Sequence, residues 1–102
     1  VNYTKAVGME AQKFEWDEDK AQSNLVKHRI SFAEAQTVFN DPLFLVFPDP
    51  DHSVDEQRFL ILGESSSRNL LVVSYTERAE AIRLISARIA SRKERRDYED
   101  EL

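Results

Sequence analysis

The sequence predicts an α+β domain: a short N-terminal strand and two helices, an antiparallel sheet of about four strands, and a C-terminal helix. Three observations predict it. Two helix-start signals stand early in the chain, Asp17 ahead of Glu18-Asp19 and Ser31 with Glu34 three residues on. Strand-like apolar runs then follow at 43–47, 56–62, 70–76 and 81–89, joined by connections too short for a crossover helix, so neighbours should be antiparallel with the helices on one face. A second Ser-x-x-Glu box, Ser91 to Glu94, opens a last helix.

Each element has its own warrant. Phe14-Glu15-Trp16 alternates apolar and polar, as a short strand does. The first helix is expected over 18–28, with acids in its first turn and Lys27, His28 and Arg29 at its end, which suits the helix dipole. Its inward stripe reads Ala21, Leu25 and His28. The second helix carries Phe32, Ala35, Val38 and Phe39 and stops at Asn40-Asp41-Pro42. Pro48-Asp49-Pro50-Asp51 reads as a turn, residues 63–69 as a polar hairpin connection and residues 77–80 as another turn. In the strand over 56–62, Arg58, Leu60 and Leu62 share one face and Phe59 and Ile61 the other; in 81–89, alternation puts Ile82, Leu84, Ser86 and Arg88 together. The last helix has only Tyr98 and Leu102 as large nonpolar residues, so it buries little of itself.

With 102 residues and 32% charged side chains, the chain is long enough for one core and too apolar in its runs to be disordered. Residues 14–102 are expected to form that single domain and residues 1–13 a flexible extension, with Met9-Glu10 reading as a natural start. The absence of cysteine removes disulfides, thiolate nucleophiles and thiolate metal sites, and fits a cytoplasmic protein. The longest apolar run falls far short of a membrane span, and residues 1–13 lack a signal-peptide core. Asp49 to Asp55 imitates the start of a calcium loop, but Val54 stands where glycine is needed and Leu60 where glutamate is needed. No other metal-ligand spacing, glycine-rich phosphate loop or serine-nucleophile elbow is present, and no cofactor is implied.

Charge is the informative feature. The chain carries a net −5, yet residues 82–96 gather six cations (Arg83, Arg88, Arg92, Lys93, Arg95, Arg96) against one acid, Glu94. Such local fields meet phosphate or a carboxylate-rich partner. Arg58, Arg78, Arg83 and Arg88 fall on strands or turn edges, where their stems can lie on a sheet while the guanidinium groups converge. Taken alone, any one of them is better explained by pairing with one of the nineteen acids, whereas four on adjacent strands favour a shared site if they face the same way. Arg83 and Arg88 also have opposite parity, so all four share a face only if a bulge or turn intervenes. Histidine is the side-chain type suited to proton transfer near neutral pH, so His28 is a candidate for it, or else is a half-buried structural histidine at a helix end. His52, in the acidic turn, reads as solvated.

Taken together, these residues resemble the BrnT toxin family. The likeness lies in Phe14-Glu15-Trp16-Asp17, Lys20, Asn24, Lys27-His28, Ser31-Phe32, Ala35, Val38-Phe39 and Asp41-Pro42. It continues through Glu56-x-Arg58, Gly63, Thr76-Glu77-Arg78, the run from Arg83 to Arg88, Glu94-Arg95 and Tyr98. The resemblance implies a RelE-like fold and a metal-independent endoribonuclease, the toxin of a type II toxin–antitoxin system that inhibits translation. It implies an RNA substrate, a BrnA-like ribbon-helix-helix antitoxin and operator DNA bound only through the antitoxin complex. Carried over residue by residue, it implies His28, Arg58, Arg78 and Arg88 as catalytic, with Lys27 and Arg83 contacting phosphate. Two departures stand out. Arg29 replaces the glycine that often follows the Lys-His pair, and the chain is acidic where such toxins are commonly basic. The competing expectation is a non-catalytic module whose arginine-bearing sheet binds an acidic protein segment. Direct DNA binding is disfavoured by the four acids between Asp97 and Glu101. The nuclease reading requires the distant guanidinium groups to meet in one anion-receiving pocket near His28.

Overall fold

The computed structural model describes residues 13–49 and 56–102. The expected extension (apart from Lys13), most of the turn after Pro48 and His52 lie outside the described residues. Five strands form one sheet: β1 (Lys13–Glu15), β2 (Leu45–Pro48), β3 (Arg58–Glu64), β4 (Leu70–Arg78) and β5 (Ala81–Ile89), in the order β1-β5-β4-β3-β2. The helices are α1 (Glu18–His28), α2 (Phe32–Ala35), continued by a 3₁₀ turn over Gln36–Asn40, and α3 (Arg92–Asp100). The α+β class holds. The four strands β2 to β5 are antiparallel throughout, but β1 joins the edge of β5 in parallel, Phe14 opposite Ile82.

Helix α1 has the predicted bounds, with the Asp17 carboxylate accepting from Lys20 N–H. It ends at Arg29 in the left-handed region, φ 62°, whose N–H returns to the Leu25 carbonyl. The inward stripe is corrected. Leu25 is 42% exposed, and the buried residue is Asn24. The Ser31 box is half formed: Ser31 caps the Glu34 N–H, but the Glu34 carboxylate accepts instead from Ser65 Oγ (2.6 Å) and Asn69 Nδ2 (2.8 Å), holding the β3–β4 hairpin. Gly63 belongs to β3 rather than to that hairpin. A Cβ there would come within 3.0 Å of Val38 Cγ1 and 3.1 Å of Asp41 Oδ2, so any side chain would push the 3₁₀ turn back from the strand.

One sheet face packs Phe59, Ile61, Leu71, Val73, Tyr75, Ile82, Leu84 and Ala87 against Phe32, Val38 and Phe39. Edge-to-face contacts of Phe39 with Phe14 (5.2 Å) and Tyr75 (5.0 Å) tie this core together. Among the described residues, the opposite face is covered at one end, where Tyr98 of α3 packs on Leu62, Leu70 and Val72. The helices therefore lie on both faces, not one. Tyr98 Oη also donates to Asp41 Oδ2 at 2.6 Å. Among the described residues, no helix is long and apolar enough to cross a membrane.

Candidate functional site

A bulge decides which side chains meet. Tyr75 pairs with Leu84 and Ser74 with Ser86, so Ile85 is an extra residue in β5 with no partner in β4. The bulge splits the expected row of Ile82, Leu84, Ser86 and Arg88. Ile82 and Leu84 enter the core, whereas Ser86 and Arg88 turn to the other face. It also brings Arg83 to that same face, opposite Thr76, which in turn lies opposite Arg58. Arg78, two residues beyond Thr76, shares it too. All four arginines thus occupy one face.

Three cross-strand rows build the site: Arg58–Thr76–Arg83, then Leu60–Ser74–Ser86, then Leu62–Val72–Arg88. The outer rows lie about 13 Å apart, four residues along a strand. Small serines between long arginine rows leave a depression of about 310 Å³, lined by Asp49, Arg58, Leu60, Ser74, Ser86 and Arg88 together with the bulged Ile85. On the far side of the bulge, Lys20, Ser23, Asn24, Lys27 and His28 of α1 line a groove of about 300 Å³ whose other wall is again Ile85 and Ser86. Pocket and groove share that wall. His28 is half-buried and Lys27 exposed.

Asn24 holds the groove together. Its Nδ2 donates to the carbonyls of Ile30 and Ala87, both at 2.9 Å, and its Oδ1 accepts from Ala87 N–H at 3.0 Å. Beyond the short β1, the outer edge of β5 would expose these backbone groups, and the side-chain amide pairs them as a neighbouring strand would.

The arginines are not equivalent. Arg58 and Arg88 line the pocket; Arg78 and Arg83 do not. Arg78 pairs with Glu56 at 3.3 Å in an exposed contact, and Arg83 Nη1 with Glu15 Oε2 at 2.9 Å. Arg88 is gripped at both ends by Glu94, Nη1 to Oε1 at 2.8 Å and Nη2 to Oε2 at 2.9 Å. These bonds hold the Glu94 carboxyl at about 2, and raise the pKa of Arg88 further. The expected convergence is met in sharing a face, and Arg78, Arg83 and Arg88 are each also paired with a carboxylate.

Ser74, Ser86, Lys20 and Asn24 were not expected as site residues, although Lys20 and Asn24 stand in the motifs of the BrnT likeness and Ser86 in the row of Arg88. Ser74 offered a signal, being the one small polar side chain between the apolar run 70–73 and Tyr75. Among the described residues, no three His, Asp or Glu side chains cluster so as to hold a metal ion.

A family model described as "Ribonuclease toxin, BrnT, of type II toxin-antitoxin system" matches residues 16–94. The chain belongs to the BrnT family. A crystal structure of the Brucella abortus ribonuclease toxin BrnT is 30% identical and superposes with a TM-score of 0.63, covering 79% of this chain and 99% of that one. No curated protein matches the chain. The BrnT match spans α1 through the first turn of α3, so it contains Lys27, His28, Arg58, Arg78, Arg83 and Arg88.

Proposed function

We propose that the chain is the toxin of a type II toxin–antitoxin pair, a metal-independent endoribonuclease that halts translation by cutting RNA in the cytoplasm. A BrnA-like ribbon-helix-helix antitoxin would neutralise it, and operator DNA would be bound only through that complex. The observation that carries this reading is the serine-floored pocket between Arg58 and Arg88, contiguous across Ile85 and Ser86 with the groove that holds Lys27 and His28. A phosphate in the pocket would meet two arginines and two hydroxyl donors against the one carboxylate of Asp49, with an imidazole on the adjoining side.

The reaction that fits is in-line attack of the RNA 2′-hydroxyl on the neighbouring phosphorus, expelling the 5′-oxygen. The 2′-proton passes to His28 or water, and the leaving oxygen is reprotonated from solvent or the same imidazole. Arg58 stabilises the charge that accumulates on the phosphoryl oxygens. Arg88 adds to this when phosphate displaces one arm of Glu94. Lys27 and Arg83 contact flanking phosphates, and Arg78, outside the pocket on the same sheet face, acts on the substrate beyond the Arg58 row.

Arg58→Ala is expected to lower cleavage of purified RNA at least 100-fold and to abolish growth arrest on induced expression, with an unchanged melting profile. Full activity in Arg58→Ala removes it from the site. Cleavage by the parent chain should survive EDTA. A second reading is favoured by the carboxylates on Arg78, Arg83 and Arg88: a non-catalytic module that binds an acidic protein segment. Failure of the parent chain to cleave RNA, with the antitoxin still bound, selects that reading.

A further inference from the structure

Helix α3 is charged against its own dipole. Its first half holds Arg92, Lys93, Arg95 and Arg96, and its second half Asp97, Glu99 and Asp100. Cations belong at a helix C-terminus and acids at its N-terminus, so this order lowers helix stability while adding side-chain charge to the positive end of the dipole. The acid in the first turn, Glu94, is consumed: it accepts from Ser91 N–H to close the capping box and takes both Nη groups of Arg88. Lys93 is paired with Asp97 at 3.1 Å. Among the described residues, Arg92, Arg95 and Arg96 have no carboxylate partner, and all three are exposed. At spacings of three and four residues they share one face of the helix.

We propose that this face of α3, Arg92, Arg95 and Arg96, binds the phosphodiester backbone of single-stranded RNA next to the nucleotide held in the pocket. The inference rests on the nuclease reading for its substrate and extends it to residues outside that site. Glu94 joins the two places. It sits in the same helical turns as the three arginines and is hydrogen-bonded to Arg88, which lines the pocket. At about 100° per residue the three arginines point away from Glu94 and Tyr98. A strand leaving the pocket past Arg88 therefore reaches them around the first turn of α3, where Arg92 stands, and the acids from Asp97 onward repel it from the far end of the helix. The composition of the face favours RNA over a protein partner. Within α3 the arginines are unaccompanied by apolar side chains, since its one large nonpolar residue, Tyr98, is turned onto the sheet and Leu102 lies beyond the helix end. A protein interface needs a buried apolar centre, whereas backbone phosphates need only charge. Arg95 and Arg96 fall beyond the residues matched by the family model.

The test is titration of the full chain with a 2′-O-methylated oligoribonucleotide, which lacks the nucleophile and stays intact. The triple variant Arg92→Gln, Arg95→Gln, Arg96→Gln is expected to bind about tenfold more weakly, with a salt slope shallower by about 2, near 0.7 per phosphate contact. On cleavable RNA its KM should rise while kcat stays within about twofold. Lys93→Gln should change neither. Unchanged affinity and slope in the triple variant overturn the inference, as does retained RNA affinity with lost antitoxin binding, which would give the face to a protein. If the parent chain cleaves no RNA, the nuclease reading falls, and the titration with the uncleavable strand still decides the binding face.

Discussion

The contact between Arg88 and Glu94 shows how one residue can serve both stability and chemistry. Glu94 ties the start of α3 to β5 through two charge-assisted bonds, and the same bonds depress its pKa from 4.5 to about 2. The folded chain therefore binds this proton more weakly than the unfolded chain does, so the pair stabilises fully above about pH 4.5 and progressively less as pH falls through 2. Glu94→Gln keeps a capping side chain but removes the charge. It should melt below the parent at pH 7, and the gap should close between pH 4.5 and 2 in thermal unfolding scans. A gap independent of pH means that the pair contributes packing alone. The Ser91 box was legible because its Ser-x-x-Glu spacing is local. The second duty of Glu94 was not, since Arg88 belongs to a different element. Asn24 was hidden for the same reason, its partners at Ala87 and Ile30 being visible only in three dimensions.

At the scale of the element, the sequence was most readable where start and stop signals are local, and least where neighbours decide. Helix α1 begins and ends as Asp17 and the Lys-His-Arg terminus indicate, yet its buried side was misjudged. The helix lies at the edge of the sheet rather than across it, so Leu25 stays 42% exposed and Val26 77% exposed, while the polar Asn24 is buried. The strand β1 has three residues, too few to reveal that it pairs in parallel. The C-cap departure at Arg29 was legible and has a measurable consequence. A residue with a Cβ at φ 62° is strained relative to glycine, an effect partly offset by the greater freedom of glycine in the unfolded chain. Arg29→Gly should raise stability by about 0.5–1 kcal/mol in urea unfolding. A loss of stability would show that the Arg29 side chain does more than occupy the cap.

For the whole molecule, sidedness of the sheet is the property on which the site depends, and a single residue sets it. Alternation along 81–89 places Arg83 and Arg88 on opposite faces, and only the extra Ile85 reconciles a core containing Ile82 and Leu84 with a pocket containing Ser86 and Arg88. Bulges leave no dependable mark in a sequence, which is why the strands and the α+β class were legible but the shared arginine face was not. Deleting Ile85 removes the extra residue and leaves every other side chain of the strand on its face, Ile82, Leu84 and Ala87 in the core and Arg83, Ser86 and Arg88 opposite. The deletion variant should therefore keep cooperative thermal unfolding, and a loss of it would show that the bulge does more than set sidedness. Ile85→Ala, which keeps the count of residues and trims a half-buried side chain, should unfold cooperatively with a loss of about 1–2 kcal/mol. Because Ile85 is the wall between the Arg58 pocket and the His28 groove, the same substitution merges the two spaces without touching a charged group. RNA cleavage should fall more in Ile85→Ala than its stability does, and equal activity at saturating RNA would mean that pocket and groove work independently.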